Sequence, residues 1–412
     1  MNLSKPHQKY LDNYSYFPSN LHLSSKFLSA SIPVTSECVV IPCKSESESI
    51  PKIITNFEQN FACPVLIILV LNQNSRCSTT YRNNCDSLQW IEKKSSASLN
   101  VFQKSPFHCT LHHISKRLKI ISVDCYTQPL SSDQGVGTAR KIGCDLICYL
   151  SAKGVISSLQ IYSTDADVCF PPDYFDEKLD VKKDALVLKQ FFHDQSELDS
   201  SWEKKAMTAY EHYLAWYPQG LKNAGSRYAF HTVGSCFVIS LGAYLAVRGF
   251  PERQAGEDFH LANKLRKVGR VKMSILSPLR IMARPSDRVP FGTGPSIREI
   301  SELFRKGESY DIPAEESFLA LKEILAYCEK TLQMDLFDSA SKSELEKIAD
   351  VPMIAELSLK LESIIHRSSL VAQREKAFHD WFDGLRQHRF INQVSQHLHP
   401  KKKLYSQDFE LE

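Results

Sequence analysis

Two aspartates follow a short strand-like segment near the middle of the chain. Residues 159–162 alternate apolar and polar side chains, as half-buried strands do, and Asp165 and Asp167 follow after Ser163 and Thr164. Side chains two positions apart in an extended segment point the same way, so both carboxylates are expected at one edge of a sheet. There they could share one Mg²⁺ or Mn²⁺ with a phosphate, or one could bind the metal and the other a sugar hydroxyl. A solvated turn is the simpler interpretation, because Asp is common where strands end.

A second acidic pair, Glu257 and Asp258, stands at the start of a predicted helix after Gly256. Acidic residues are favoured at a helix N-terminus by the helix dipole, and this alone could explain the pair. If the helix start faces the same site as the two aspartates, one carboxylate could instead take a proton from an attacking hydroxyl.

The elements that would position these carboxylates alternate between strand and helix. Strands are predicted at 37–42, 65–71, 118–123 and 159–162, and helices at about 50–61, 136–152 and 257–268. This alternation predicts an α/β fold, a doubly wound, mostly parallel sheet with helices on both faces. Ligands of such sheets bind at the carboxyl ends of the strands. The polar residues expected to gather there are Glu46, Asn72, Arg140, Asp165 and Asp167.

The segments outside this alternation have a different character. Residues 1–35 are rich in Ser, Asn, Tyr and Pro and are predicted to be an N-terminal extension. Residues 171–225 are predicted to be mainly a charged and aromatic helical insertion within a domain at 36–295. Residues 296–412 follow the helical period and predict an α-helical C-terminal region that shapes an acceptor site or a homodimer contact.

Composition restricts the class of protein. The 412 residues are 43% hydrophobic and 24% charged, which is typical of a soluble globular protein. The net charge of +3 gives no reason to expect a nucleic-acid partner. The apolar runs are too short for a transmembrane segment, and the first residues lack the apolar core of a signal peptide. The 12 cysteines have no repeated pair spacing, which is typical of reduced thiols, so a cytoplasmic location is expected.

Four short motifs occur in an order and spacing that resemble the GT-A fold (Rossmann-like) glycosyltransferases, and glycosyltransferase family 2 in particular. The resemblance covers roughly residues 37–295. The motifs are Ile41-Pro42 with Glu46, Gly135-Val136-Gly137 with Ala139-Arg140, Asp165-Ala166-Asp167, and Gly249-Phe250-Pro251 with Gly256-Glu257-Asp258-Phe259.

The resemblance implies roles for both acidic motifs. Asp165-Ala166-Asp167 resembles the DxD motif, which holds a metal ion and the diphosphate of a sugar nucleotide. Asp167 would be the main metal ligand, and Asp165 would face the ribose, the sugar or a metal-bound water. Asp258 resembles the catalytic base of inverting members, and Glu257 would orient the acceptor or the base.

The resemblance also implies a donor site for a UDP- or GDP-linked sugar. Pro42 and the loop of Glu46 would surround the base and ribose, and Gly137 and Arg140 would lie near the nucleotide pocket. Family members often have Asp where this chain has Asn72, so the identity of the base stays open.

Two further residues have two interpretations each. Arg288 stands in a Gly-, Pro- and Arg-rich segment, 284–296, and could neutralise the leaving diphosphate; the alternative is an ordinary interdomain linker. His231 could be a third metal ligand or touch the acceptor, or it could be a packed histidine.

The expected activity is Mn²⁺- or Mg²⁺-dependent transfer of a sugar, a hexose in the first instance, to a hydroxyl acceptor with inversion at the anomeric carbon. One alternative is retention, as in mannosylglycerate synthase. Another is a sugar-nucleotide nucleotidyltransferase, suggested by the glycine-rich residues 135–140; in that class the glycine-rich loop follows the first strand, where residues 43–48 contain no glycine. The third alternative is a non-catalytic sugar-nucleotide-binding protein.

The chain lacks the Gln-x-x-Arg-Trp motif of processive synthases, so the addition of a single sugar is expected.

Overall fold

The computed structural model describes residues 5–30, 32–284, 292–334 and 351–409. The chain divides into two compact units. The first comprises Met1–Glu197 and Thr232–Pro295, and the second comprises Leu198–His231 and Ser296–Glu412. None of the helices in the described ranges is both long and apolar enough to cross a membrane.

The strands of the described residues are numbered in chain order. They are β1 Glu37–Cys43, β2 Val65–Asn72, β3 Ser98–Asn100, β4 His108–His113, β5 Leu118–Cys125, β6 Gln160–Ser163, β7 Val168–Cys169, β8 Asp184–Leu188, β9 Phe191–Asp194, β10 Phe237–Ser240, β11 Arg270–Met273, β12 Leu279–Met282, β13 Tyr310–Ile312 and β14 Lys402–Leu404.

The helices are numbered in the same way. They are α1 Lys5–Asn13, α2 Ser25–Leu28, α3 Ser49–Asn60, α4 Ser78–Lys94, α5 Val136–Ala152, α6 Ser201–Asn223, α7 Leu241–Ala246, α8 Glu257–Arg266, α9 Thr293–Arg305, α10 Glu315–Leu332, α11 Met353–Arg367, α12 Val371–Trp381 and α13 Gly384–His397.

A nine-stranded sheet forms the centre of the first unit. Its strand order is β11-β8-β10-β6-β1-β2-β5-β4-β3. Strands β6, β1, β2 and β5 pair in parallel, whereas β10 and β4 run antiparallel to both of their neighbours. All the other strands therefore run in one direction. The predicted fold class, an α/β fold with a mostly parallel sheet, is confirmed.

Helices cover both faces of this sheet. Val39 of β1 packs in one buried cluster with Ile53 of α3. Val40 and Val70 point to the opposite face, where Gly143 of α5 lies so close that a Cβ on this glycine would overlap Val40. Strands covered on both faces are apolar at every position, which explains the uninterrupted apolar runs in β1 and β2.

The structure corrects the prediction for residues 171–225. This segment contains β8 and β9 before α6 begins, so it is not mainly a helical insertion. Residues 185–188 are a continuous apolar run and are at most 1% exposed, because β8 lies between β10 and β11 inside the sheet. A short apolar run of this kind does not by itself distinguish a buried strand from a buried helix.

The N-terminal segment packs onto α5. The Tyr10 hydroxyl donates a hydrogen bond to Asp145 Oδ1 (2.5 Å), and Lys141 Nζ donates to the carbonyl of Tyr14 (2.6 Å). The Tyr149 hydroxyl donates to the carbonyl of Leu21 (2.7 Å). These bonds attach the segment to one side of the helix whose N-terminal half carries part of the candidate site.

The second unit is mainly helical, and it contains the predicted helical C-terminal region. Its core joins Leu221 of α6 to Phe318 and Leu321 of α10, Leu357 of α11 and Phe390 of α13. Because α6 contributes to this core, Leu198–His231 belong to the second unit, although the predicted domain at 36–295 included them. The apolar face of α6 finds its partners more than 90 residues further along the chain, which local periodicity does not indicate.

Candidate active site

The carboxyl ends of neighbouring parallel strands bring the first acidic groups together. Strand β6 pairs with β1, with Ser163 opposite Val40, and both strands end at the same edge of the sheet. Asp165 and Asp167 follow β6, and Glu46 lies in the loop after β1. This edge is where open α/β sheets bind their ligands.

Arg140 of α5 joins the two acidic motifs. Its side chain is only 3% exposed. Its Nε donates to Glu257 Oε1 (2.9 Å), its Nη2 donates to Asp165 Oδ1 (2.7 Å), and its Nη1 donates to Ser163 Oγ (2.9 Å). The segment that contains Asp165 and the start of α8 are far apart in the sequence, and they meet at one guanidinium group.

The charges around Arg140 shift the pKa values of the cluster. Burial alone would lower the pKa of Arg140, but the carboxylates of Asp165 and Glu257 outweigh it and raise this pKa above its usual value. Burial raises the pKa of Glu257, and the Arg140 charge opposes that rise. Arg140 therefore stays positively charged within the cluster.

Gly137 explains how α8 comes so close to α5. The Gly137 N–H donates to the carbonyl of Arg253 (3.1 Å). A Cβ at Gly137 would lie 2.6 Å from the Pro251 carbonyl oxygen and 2.9 Å from Glu257 Cβ, both shorter than the contacts that Cβ atoms make in proteins. The absence of a side chain at this position lets the loop before α8 pack against α5. In the described residues Gly137 thus serves to position Glu257.

Asp258 is partly buried next to this cluster. Its Oδ2 accepts a hydrogen bond from the Gly234 N–H (3.1 Å), and its Oδ1 accepts one from the Phe259 N–H (2.7 Å). Burial, and then the negative charge of Glu257, raise the pKa of Asp258 to about 7. A carboxylate with a pKa in this range is suited to accept a proton at neutral pH.

Asp165 has a second partner that the sequence analysis did not identify. The Ser235 hydroxyl donates to Asp165 Oδ2 (2.5 Å), so both oxygens of this carboxylate are hydrogen-bonded. Ser235 lies in a one-turn 3₁₀ helix, Gly234–Cys236, directly before β10. Because β10 runs antiparallel to β6, with Phe237 opposite Ser163, the start of β10 lies at the end of β6.

Arg284 is the second site residue that the sequence analysis missed. It follows β12, and its Nη2 donates to Glu46 Oε1 (2.7 Å), Glu46 Oε2 (2.9 Å) and Asp167 Oδ2 (3.0 Å). Burial would lower the pKa of Arg284, but Asp167 and Glu46 raise it above its usual value. In the segment 284–296 the sequence analysis predicts a role for Arg288, which lies outside the described residues.

Three other predicted site residues are Pro42, Asn72 and His231. Pro42 is buried in β1 opposite Val70, and Asn72 is buried at the end of β2. The Asn72 side-chain amide donates to the carbonyls of Cys43 and Val70 (3.2 Å each), so it bonds the ends of its own and the adjacent strand. His231 belongs to the second unit.

The carboxylates offer limited ligands for a metal ion. In the described part of the chain, no group of three or more His, Cys, Asp or Glu side chains could hold a metal ion. The side chains of Asp165 and Asp167 are 33% and 18% exposed, so both can be reached from solvent. Mg²⁺ is commonly bound by one or two carboxylates together with substrate phosphates and water. A cation bound at these carboxylates would take its remaining ligands from a diphosphate or from water.

Comparisons with known proteins add little to this description. No protein-family model matches the chain, and neither does a curated protein sequence. One solved structure that the chain resembles is the crystal structure of S. aureus TarS 1-349, with 11% sequence identity and a TM-score of 0.36 over 88% of this chain and 91% of that chain. A TM-score of this size does not demonstrate a common fold.

Proposed function

We propose that this chain is a glycosyltransferase that moves a sugar from a nucleotide diphosphate sugar to an acceptor hydroxyl. One observation carries the proposal: Arg140 holds Asp165 of the DxD segment and Glu257, the neighbour of Asp258, at the same edge of an α/β sheet. In this proposal, Asp165 and Asp167 are the carboxylates that would bind a cation, and Asp258 is the carboxylate that would accept a proton.

The donor would bind at the edge that contains Asp165 and Asp167. Asp167, with Asp165, would hold Mn²⁺ or Mg²⁺ together with the diphosphate, and a cation bound there offsets charge on the leaving group as a Lewis acid. Arg284, and Arg288 in addition, would contribute positive charge for the phosphates. Pro42, Glu46 and Asn72 would lie beside the base and ribose of a UDP- or GDP-linked sugar.

The acceptor hydroxyl would be activated by Asp258. The carboxylate accepts the hydroxyl proton while the acceptor oxygen bonds to the anomeric carbon, and the bond from that carbon to the phosphate oxygen breaks. A single displacement of this kind inverts the anomeric configuration. The hydrogen bonds from Gly234 and Phe259 hold the Asp258 carboxylate in one orientation, which favours proton transfer.

Asp258→Asn tests the proposal. The amide keeps the shape of the side chain but does not accept the proton, so we expect transfer to fall by about 100-fold or more. The rise in melting temperature caused by UDP, GDP, CDP or ADP, each with and without Mn²⁺, should be the same as in the wild type, because ligand binding stabilises the native state.

The matched control is Asp86→Asn, which neutralises an exposed aspartate on α4. Its transfer rate and its nucleotide-dependent melting shift should both equal those of the wild type. Full transfer activity in the Asp258 variant would exclude Asp258 as the base. Nucleotide binding by the wild type without transfer to any acceptor would favour the non-catalytic alternative. A cytoplasmic location and a homodimer contact stay predictions from the sequence.

A further inference from the structure

We propose that Arg284 is a built-in cation that occupies the carboxylates of Glu46 and Asp167 and competes with a divalent metal ion for Asp167. The inference rests on the proposed function in one respect, namely that the metal ion accompanies a nucleotide diphosphate. It concerns whether Asp167 binds the guanidinium of Arg284 or a metal ion.

The first observation is the way in which one nitrogen is surrounded. Arg284 Nη2 lies 2.7 and 2.9 Å from the two oxygens of Glu46 and 3.0 Å from Asp167 Oδ2. Three carboxylate oxygens from two side chains thus converge on one positively charged atom. Two carboxylates this close repel each other unless a cation lies between them. The position requires a positive charge, and in this structure the guanidinium supplies it.

The second observation is that Arg284 is more exposed than Arg140 and donates to the protein from fewer nitrogen atoms. Arg140 is 3% exposed and uses Nε, Nη1 and Nη2 as donors to the protein. Arg284 is 28% exposed, and its bonds to Glu46 and Asp167 all come from Nη2. Its Nε is buried without a hydrogen-bond acceptor among the described residues. A buried donor without an acceptor is unfavourable. Breaking the contacts of Arg284 therefore costs less free energy than breaking those of Arg140.

The exchange has a consequence for the order of binding. A metal ion that takes Asp167 displaces Arg284, whose guanidinium is then available to a diphosphate, a group that arginine binds with two parallel hydrogen bonds. Metal ion and nucleotide diphosphate should therefore bind cooperatively, because each one stabilises the arrangement that the other requires. The metal ion alone should bind weakly to the wild-type protein.

The test is Mn²⁺ alone, titrated into the full chain without nucleotide and measured by electron paramagnetic resonance of the free ion. We expect Arg284→Gln to bind Mn²⁺ about tenfold more tightly than the wild type, a factor within the usual range of coupling between two ligands. The control is Arg280→Gln, which removes an arginine from β12 that pairs with Asp194 (3.2 Å). This control should bind Mn²⁺ as the wild type does.

A second variant covers the case in which Arg284→Gln does not fold, as judged by circular dichroism. Arg284→Met removes the positive charge and keeps an unbranched side chain, so the carboxylates of Glu46 and Asp167 lose their cation and Mn²⁺ should again bind more tightly than in the wild type. Equal Mn²⁺ affinity in the wild type and the folded variant would overturn the proposal, and so would the absence of Mn²⁺ binding to either.

These measurements separate the inference from the proposed function. The titrations are done without nucleotide or sugar. Unchanged Mn²⁺ affinity would therefore reject competition by Arg284, whereas the transferase proposal is tested separately by the assays of Asp258→Asn. Conversely, tighter Mn²⁺ binding by Arg284→Gln together with no response to any nucleotide would support the competition and reject the donor class.

Discussion

Arg140 and Arg284 are the same amino acid in two different settings, and the difference lies in burial and in the number of donors used. Arg140 is enclosed and distributes its bonds over Glu257, Ser163 and Asp165, so it fixes the position of the acidic residues. Arg284 is more exposed and bonds Glu46 and Asp167 through one nitrogen. The first arrangement is suited to positioning, and the second is suited to exchange with a ligand.

The pKa of Asp258 leads to a prediction for the pH dependence of transfer. A general base works only when it is deprotonated, and burial raises the pKa of Asp258 to about 7. The value of kcat/KM should therefore increase tenfold per pH unit below about pH 7 and level off above it. Initial rates at subsaturating donor from pH 5 to 9 measure this profile.

The control for this profile is Asp258→Asn, whose residual rate should not show the same ascending limb. A wild-type profile that is flat between pH 5 and 7 would show that no group with the raised pKa takes the proton. A limb that persists in the variant would assign the titration to another residue.

Among the elements, α5 connects most of the features described for the first unit. Gly137 near its start receives the loop before α8, Arg140 one turn later binds both acidic motifs, and Gly143 packs against the central strands. Lys141 and Asp145 on another side bind the N-terminal segment. A displacement of α5 would therefore move the two acidic motifs relative to each other.

Gly137→Ala tests the close packing of α5 against the loop before α8. The added Cβ would meet two backbone carbonyl oxygens, those of Pro251 and Arg253, at 2.6 and 2.8 Å. We expect a loss of about 1–3 kcal/mol in the free energy of unfolding, as for other overpacked sites, measured by urea denaturation. Transfer should also decrease, because α8 and Asp258 would move away from Arg140.

The matched control for this substitution is Gly242→Ala in α7. A Cβ at Gly242 has its nearest neighbour 4.0 Å away, at Ser240 Oγ. Alanine there should leave the free energy of unfolding unchanged or increase it by up to about 1 kcal/mol, because alanine favours the helix. If both alanine variants are as stable as the wild type, the packing at Gly137 is looser than described.

At the scale of the whole molecule, the sheet of the first unit predicts a gradient of hydrogen exchange. Strand β2 pairs with β5 along its full length and with β1 from Val65 to Leu71, and its residues are at most 4% exposed. Strand β11 lies at the edge, pairs among the described strands with β8 alone and carries the exposed Met273. Amides of β2 should exchange only through global opening and those of β11 through local opening, as measured by exchange with mass spectrometry.

The rate of exchange under mildly denaturing urea provides the control, since only globally protected amides depend strongly on urea. Equal protection of β2 and β11 would indicate that the sheet opens as one cooperative unit. Faster exchange in β2 than in β11 would contradict the arrangement of the strands.

The sequence by itself indicated the elements whose pattern is local. The uninterrupted apolar run of β2 and the helical periods of α3 and α5 predicted these elements within a few residues of their observed ends. Their order along the chain then indicated the class of the sheet, because strands that alternate with helices must cross over and pair in parallel. The acidic motifs were visible because a strand end and a helix start have characteristic residues.

Only the tertiary structure decided which groups meet. The reversal of β10 brings Ser235 to Asp165, and the end of β12 brings Arg284 to Glu46 and Asp167. Nothing in the local sequence indicates that these side chains contact one another, since β10 and β12 are four-residue strands whose partners lie far away in the chain. Periodicity reports whether a segment has a buried face, whereas strand order and direction depend on the summed packing of all the elements.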